Sequence, residues 1–345
     1  MKTKKNSSRG ARMWKSVKHF YKTKTMAGVG LIILILLVLV AIFADVLAPV
    51  KMQAGTLPGN ILYKLVKPFW MLSAEDQAKQ VASGTIYWLG TDNLGRDVLS
   101  YLIYGARTSV VLCLGVSILS TLVSVVIGTL SATIGGLFDL IVQRFVDAFQ
   151  CIPGMLLSMI IMNMLGNGVT QLIIVMAIPG GIANSRMIRS AAISVRNSGY
   201  VRSSELLGAA TMWKMLRHVL PNILPIIIIT AAGGLGGTVM MEASLNFLGY
   251  GVPVGTPSWG YMITNQGRAN MFSAPYLCLF PGICIAVMVL AANLFGDGLR
   301  DVMDPRLRGG VGTYDSRKIK KIAAKYARKF EESRGKAKAE TSWNT

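Results

Sequence analysis

Few residues of this sequence could carry chemistry, and their spacing narrows what they could do. Four cysteines, Cys113, Cys151, Cys278 and Cys284, form no C-x-x-C pair, and the two histidines, His19 and His218, stand apart from them. Zinc needs about four clustered nitrogen or sulfur ligands, so neither a zinc site nor a disulfide framework is expected, and the cysteines read as small apolar packing residues. Asp92 and Asp97 lack the alternating oxygen ligands of a calcium loop. No Walker A, H-E-x-x-H or G-x-S-x-G sequence occurs. Hence no catalytic, metal-binding or cofactor-binding residue is expected in this chain.

What remains is charge in an apolar setting. Glu242 has Asn246 one turn further on, within a glycine-rich run in which Gly233 and Gly237 stand four apart. A carboxylate at membrane depth is costly unless paired or facing water, and small residues four apart admit a neighbouring backbone. Gly233, Gly237, Glu242 and Asn246 are therefore candidates for a pathway or gate, against the plainer reading of an interhelical hydrogen bond. Arg144 and Asp147 have i,i+3 spacing, and Asn293, Asp297, Arg300 and Asp304 recur at 4, 3 and 4, which makes one polar stripe. The first pair reads as structural.

The elements that position these groups are membrane helices. The chain has 345 residues, 52% hydrophobic and only 15% charged, a composition outside the soluble globular range. Apolar runs near 26–48, 107–134, 140–165, 169–186, 221–248 and 276–301 approach the roughly 20 residues that cross a bilayer. An all-α polytopic protein with six transmembrane helices is expected, the first an uncleaved anchor and the third kinked at Pro153. Of 36 Lys and Arg, nine fall in 1–25, six in 185–219 and twelve in 305–345. An even number of spans puts all three groups on the cytoplasmic side, as the positive-inside rule requires. The net charge of +20 is thus a topology signal, and nucleic acid is not an expected partner. The expected organisation is a basic N-terminus (1–25), a first span (26–48), an outer cap (49–106), a five-helix core (107–304) and a basic tail (305–345).

Within the cap, a short amphipathic helix is expected around 73–82. The stretch "YWLGTDNLGRDVLSYLIYGARTSV" offers Thr91 or Asp92 as a helix cap and an i,i+4 pair from Asp92 to Arg96. Trp88, Tyr101 and Tyr104 suit an interface, so the residues alone predict an amphipathic helix lying on the outer surface.

Between the fourth and fifth spans lies "YVRSSELLGAATMWKMLRHVLPN", residues 200–222. Helix up to Leu207, a turn at Gly208-Ala209 and a second helix capped by Thr211 are expected. Met212, Met215, Leu216 and Val219 would then share one apolar face. Two readings stay open for that face: a groove on another protein, or the lipid surface.

At this point the residues resemble a known family, the permease subunits of ABC importers. The hairpin, about 190–220, is similar to their cytoplasmic EAA loop, with Gly208 at the glycine and Leu220-Pro221 at the close. Arg202, Ser203 and Ser204 occupy the E-A-A positions, and Glu205 comes one turn later. "GTDNLGRDVLSYLIYGARTSV", "EASLNFLGYGVPVGTPSWGYMI" and "FGDGLRDVMDPRLR" resemble signatures of the oligopeptide, dipeptide and nickel branch, second-permease type. Tyr101 stands where that branch has arginine. The resemblance runs from about 26 to 308.

It implies a type I importer permease fold in the cell membrane, with both termini cytoplasmic. A homologous permease would complete the pathway, two cytoplasmic ATPase subunits would bind ATP-Mg, and an extracellular solute-binding protein would deliver peptide, or nickel or another small solute. Arg202, Ser203, Ser204, Glu205, Gly208, Ala209, Met212, Met215 and Leu216 would form the ATPase-coupling loop. Thr91, Asp92, Gly95, Arg96 and Asp97 would belong to the outer signature. The competing classes are a secondary transporter that couples to protons through Glu242 and a membrane scaffold with lipid-binding basic tails.

Overall fold

The computed structural model describes residues 25–82, 84–253 and 255–303. The basic segments expected at 1–25 and 305–345, apart from Thr25, lie outside the described residues, as do His19 and Asp304. Among the described residues there is no β-strand, in keeping with the all-α expectation.

Seven helices carry the architecture: α1 (Thr25–Ile42), α2 (Val98–Ile134), α3 (Gly136–Cys151), α4 (Gly154–Leu165), α5 (Val169–Arg196), α6 (Leu220–Phe247) and α7 (Tyr276–Met303). Among the described residues, four helices are long and apolar enough to cross a membrane: α2, α5, Thr211–Phe247 and α7. The third expected span takes another form. Its two halves, α3 and α4, are bent by 88°, because Pro153 brings no N–H and pushes Ile152 into extended geometry (φ −92°, ψ 126°). The first span is also shorter than expected, with 17 apolar residues, Met26–Ile42. Among the described residues the expected six spans therefore stand as four long apolar helices, a broken pair and a short apolar helix.

Helix α2 starts nine residues before its expected boundary. At 1.5 Å per residue its 37 residues reach about 55 Å, so it crosses the hydrocarbon and continues beyond it. Residues 98–106, expected in the cap, are its first turns.

The long helices approach closely where side chains are missing. A Cβ on Gly128 of α2 would lie 2.6 Å from the Ser185 carbonyl oxygen of α5, and one on Gly181 of α5 would lie 2.6 Å from Val123 Cβ. Across the α1–α7 crossing, a Cβ on Gly30 would lie 2.7 Å from the Ala291 carbonyl oxygen. These two crossings, α2–α5 at two points and α1–α7, hold the bundle by packing, as membrane helices must when lipid is as apolar as their own surface. A third joins α6 to α7. There a Cβ on Gly236 would strike the Asn293 amide, and one on Gly296 would lie 3.1 Å from Gly233 Cα. Cβ atoms on Gly233 and Gly237 would meet nothing within 4 Å. Within the glycine-rich run, α7 thus approaches at Gly236 and at the Gly233 backbone, while a Cβ on Gly237 would stand in open space.

Candidate functional site

The hairpin is built from helix Gly199–Leu206, a turn, helix Thr211–Lys214 and a π-helical turn, Met215–Val219, that runs straight into α6. Gly208 has φ +82°, the left-handed geometry that glycine adopts without a Cβ clash. Its N–H bonds the Glu205 carbonyl at 2.9 Å, and Ala209 N–H bonds the Ser204 carbonyl at 3.1 Å. Ala210, not Thr211, stands at the second helix's N-cap, and no side chain caps it.

Two contacts lock the arms together. Lys214 Nζ reaches Glu205 Oε1 at 3.0 Å. The His218 ring lies between Tyr200 and Trp213, with centroids 5.9 and 5.0 Å away. The hydrogen bond from Lys214, then its charge, holds the Glu205 carboxyl below its usual range. This contact is therefore present at neutral pH and is lost as pH falls through that lowered value. Glu205 serves inside the hairpin, which leaves Arg202 and Ser203 as the exposed polar groups of the E-A-A positions.

The expected apolar stripe is split. In a π turn, residues four apart stay aligned while those three apart separate, since a turn takes more than four residues. Met215 and Val219 accordingly point into the body, Val219 packing with Ile188 and Ile223, while Met212 and Leu216 face outward. Leu206 and Leu207, 89% and 88% exposed, and Trp213 add further exposed apolar side chains to the hairpin. The paired leucines had no periodic partner in sequence and were missed. Their only signal was position, immediately before the turn glycine.

Beyond the hairpin, α2, the α3–α4 break, α5 and α6 line an open-sided cavity of about 400 Å³. Ser120 and Thr121 of α2, Asn184 of α5 and Gly237 and Thr238 of α6 line it, whereas Gly233, Glu242 and Asn246 do not. Outside the cavity lining, the α3 acids pair with arginines of α3 and α5. Asp147 meets Arg144 at 3.2 Å and also Arg186, and Asp139, unremarked in sequence, accepts Arg189 Nε at 2.6 Å.

Glu242 is 1% exposed and sits at a joint. Its Oε1 accepts from Ser258 Oγ at 2.9 Å and Asn246 Nδ2 at 2.8 Å, and its Oε2 from Ser109 Oγ at 3.5 Å. Asn246 Oδ1 in turn accepts from Val252 N–H at 3.0 Å. One carboxylate thereby ties α2, α6 and the loop after α6. Nearby, Trp259 donates from Nε1 to the Leu102 carbonyl at 2.9 Å, its ring lying where a side chain at Gly105 would stand. These bonds are the interhelical arrangement that was the plainer of the two sequence readings.

The outer signature is a buried knot, and the expected surface helix is absent there. Asp92 and Arg96 do pair, Nε to Oδ2 at 2.7 Å, with Asp92 1% exposed. The pair closes a tight turn in which Asp92 Oδ1 also accepts from the Leu94 and Arg96 N–H groups at 2.8 and 2.9 Å. Gly95, at φ +71°, lies against the Asn60 backbone. Asp97, neither Thr91 nor Asp92, caps α2, accepting from Ser100 N–H at 2.8 Å. Thr91 accepts from Val66 N–H at 2.8 Å, and its carbonyl accepts the Tyr276 hydroxyl at 2.9 Å. Tyr101 and Tyr104 are buried while Trp88 is exposed, so an interface role is left to the tryptophan. Hydrogen-bond need decides this: aspartate N–H acceptance competes with helix formation and favours turns and caps. The helix expected around 73–82 is present as Ala74–Ala82.

Comparison with known proteins places this geometry. Residues 124–309 match the family model described as binding-protein-dependent transport system inner membrane component. Residues 12–62 match the N-terminal TM domain of oligopeptide transport permease C. The oligopeptide transport system permease protein OppC of Bacillus subtilis is 32% identical over 304 residues, 88% of this chain and 93% of that protein. The glutathione transport system permease protein GsiD of Escherichia coli is 31% identical over 300 residues, 86% of this chain and 91% of its own length. The probable peptide ABC transporter permease protein y4tQ of Sinorhizobium fredii is 44% identical over 223 residues, 64% of this chain and 75% of its own. By these matches the chain belongs to the family of binding-protein-dependent transport system inner membrane components, the ABC-transporter permeases.

Proposed function

We propose that this chain is a transmembrane permease subunit of an ATP-driven importer for oligopeptides or dipeptides. A homologous permease completes the pathway, two cytoplasmic ATPase subunits bind and hydrolyse ATP-Mg, and an extracellular solute-binding protein presents the cargo. The chain itself hydrolyses nothing and holds no cofactor. The three compared relatives are named for peptide, oligopeptide and glutathione transport, which favours peptide over nickel.

The observation that carries the mechanism is the continuity of the hairpin with α6. Thr211–Phe247 is one rod of 37 residues, and its start, the second arm of the hairpin, presents an apolar outer face. An ATPase groove gripping Leu206, Leu207 and Met212 would move that end. Because Val219 and Ile223 are buried against Ala132 and Ile188, the push passes to α2 and α5 through packed contacts, as a rigid-body tilt.

The test is reconstitution in vesicles with the partner permease, the ATPases and the binding protein. Peptide accumulation is expected only with both ATP and binding protein present. Uptake driven by a proton gradient without ATPases would overturn the proposal. Topology is tested separately: Lys67→Cys should react with an impermeant thiol reagent in intact cells and Ser203→Cys should not. Outside labelling of Ser203→Cys would reverse the proposed cytoplasmic placement of the hairpin and of both termini.

A further inference from the structure

In the outer cap, the short turn Phe69–Met71 leaves Trp70 54% and Met71 61% exposed. The backbone of this turn asks little of water. Phe69 N–H donates to the Trp88 carbonyl at 3.2 Å, and Met71 and Leu72 N–H donate to the Pro68 and Phe69 carbonyls at 2.8 and 3.3 Å. Gln77, on the helix Ala74–Ala82, donates from Nε2 to the Phe69 carbonyl at 2.9 Å and to the Leu72 carbonyl at 3.3 Å. Irregular backbone at membrane depth must have its polar groups met by protein. A turn bonded in this way, with an indole and a thioether pointing outward, suits contact with lipid.

Its height in the membrane is set by α7. Trp70 packs edge-on against Phe280, with ring centroids 6.3 Å apart. From Tyr276 to Gly296, just ahead of Asp297, α7 has no charged residue. At 1.5 Å per residue this stretch is about 31 Å long, the thickness of a hydrocarbon core. Phe280 stands one turn inside it, about 6 Å below its outer end. Interfacial apolar faces lie at that depth, roughly 5–10 Å into the headgroup boundary, and tryptophan is enriched there. Phe280, Ile283, Val287 and Leu290 share one face of α7 by their spacing, and the last three are exposed. The apolar surface of the turn therefore continues the one that α7 turns to lipid. We propose that Phe69–Met71 is a lipid anchor of the cap: Trp70 and Met71 insert into the outer leaflet beside α7 and hold the cap down on the bilayer.

The experiment attaches a nitroxide at Met71→Cys, Glu75→Cys or Ile283→Cys in the full chain, its four native cysteines replaced by alanine. The chain is placed in phosphatidylethanolamine–phosphatidylglycerol vesicles, alone and within the assembled importer. Collision of each label with oxygen, which concentrates in lipid, is divided by collision with a water-soluble nickel chelate. Ile283→Cys gives the lipid value, and Glu75→Cys, at a side chain 80% exposed, gives the water value. The ratio at Met71→Cys should exceed that at Glu75→Cys by about fivefold or more, in the chain alone and in the importer. Adding Trp70→Ser should lower the Met71→Cys ratio about twofold or more and leave the Ile283→Cys ratio unchanged, whereas Trp70→Phe should preserve both. A Met71→Cys ratio equal to that at Glu75→Cys would overturn the anchor. So would a label shielded from both oxygen and chelate once the importer is assembled, which would assign the surface to a protein partner. The outcome is independent of the importer reading, since it is also measured on the chain alone.

Discussion

Gly208→Val lowers ATP-dependent uptake at least tenfold and reduces co-purification of the ATPase subunits, at unchanged membrane insertion. The reason is local. Gly208 sits at φ +82°, where a side-chain-bearing residue loses roughly 1–2 kcal/mol and a β-branched one more. A factor of ten in turn population needs about 1.4 kcal/mol. A Cβ added there meets nothing within 4 Å, so the penalty is backbone strain alone, with no clash between the two arms. This separates the variants. Gly208→Asn, which tolerates the left-handed region, should retain most of the uptake, and Arg217→Ala should be mild because an exposed charge is screened by salt. Pull-down of the ATPases and vesicle uptake at matched permease levels are the measurements. A valine variant that binds ATPase and transports normally removes the hairpin from the mechanism.

The second large effect is on stability. Glu242→Leu leaves Ser258, Ser109 and the Asn246 amide without the carboxylate they donate to. An unsatisfied buried polar group costs about 1–3 kcal/mol, so a loss on the order of 3 kcal/mol is expected, read as a lower unfolding temperature and a poorer yield in detergent. Glu242→Gln keeps an acceptor oxygen at the joint and should fall well short of that. Uptake per folded complex should change less than stability does, because Glu242 lies outside the cavity lining. A leucine variant as stable as wild type but inactive would make this residue part of the gate.

The outer signature shows what a linear reading resolves and what escapes it. The pairing of Asp92 with Arg96 was legible, since four residues separate them and their charges are opposite. The helix inferred from that spacing was wrong, because a tight turn also brings i and i+4 together when the aspartate takes the intervening N–H groups. The same limit acts in the hairpin. The glycine turn was legible from Gly208, yet a single π turn re-sorted Met212, Met215, Leu216 and Val219 onto two faces. Helical period is assumed in reading a stripe, and one extra residue per turn defeats it.

Sequence by itself determined that this is a helical membrane protein, where its apolar segments lie, that a charged hairpin interrupts them, and which family its motifs resemble. Those properties are local: the length of an apolar run, the clustering of Lys and Arg, a glycine beside a leucine-proline stop. Only the tertiary structure decided that the neighbouring helix meets Gly236 and the Gly233 backbone while Gly237 lines the cavity. It alone placed Glu242 in a joint of three elements, and it alone assembled an uncharged cavity from residues spread between Val116 and Met241. Each of these depends on how one helix is rotated about its axis against another. That rotation is set by the summed packing of whole faces, and no short stretch of sequence contains it.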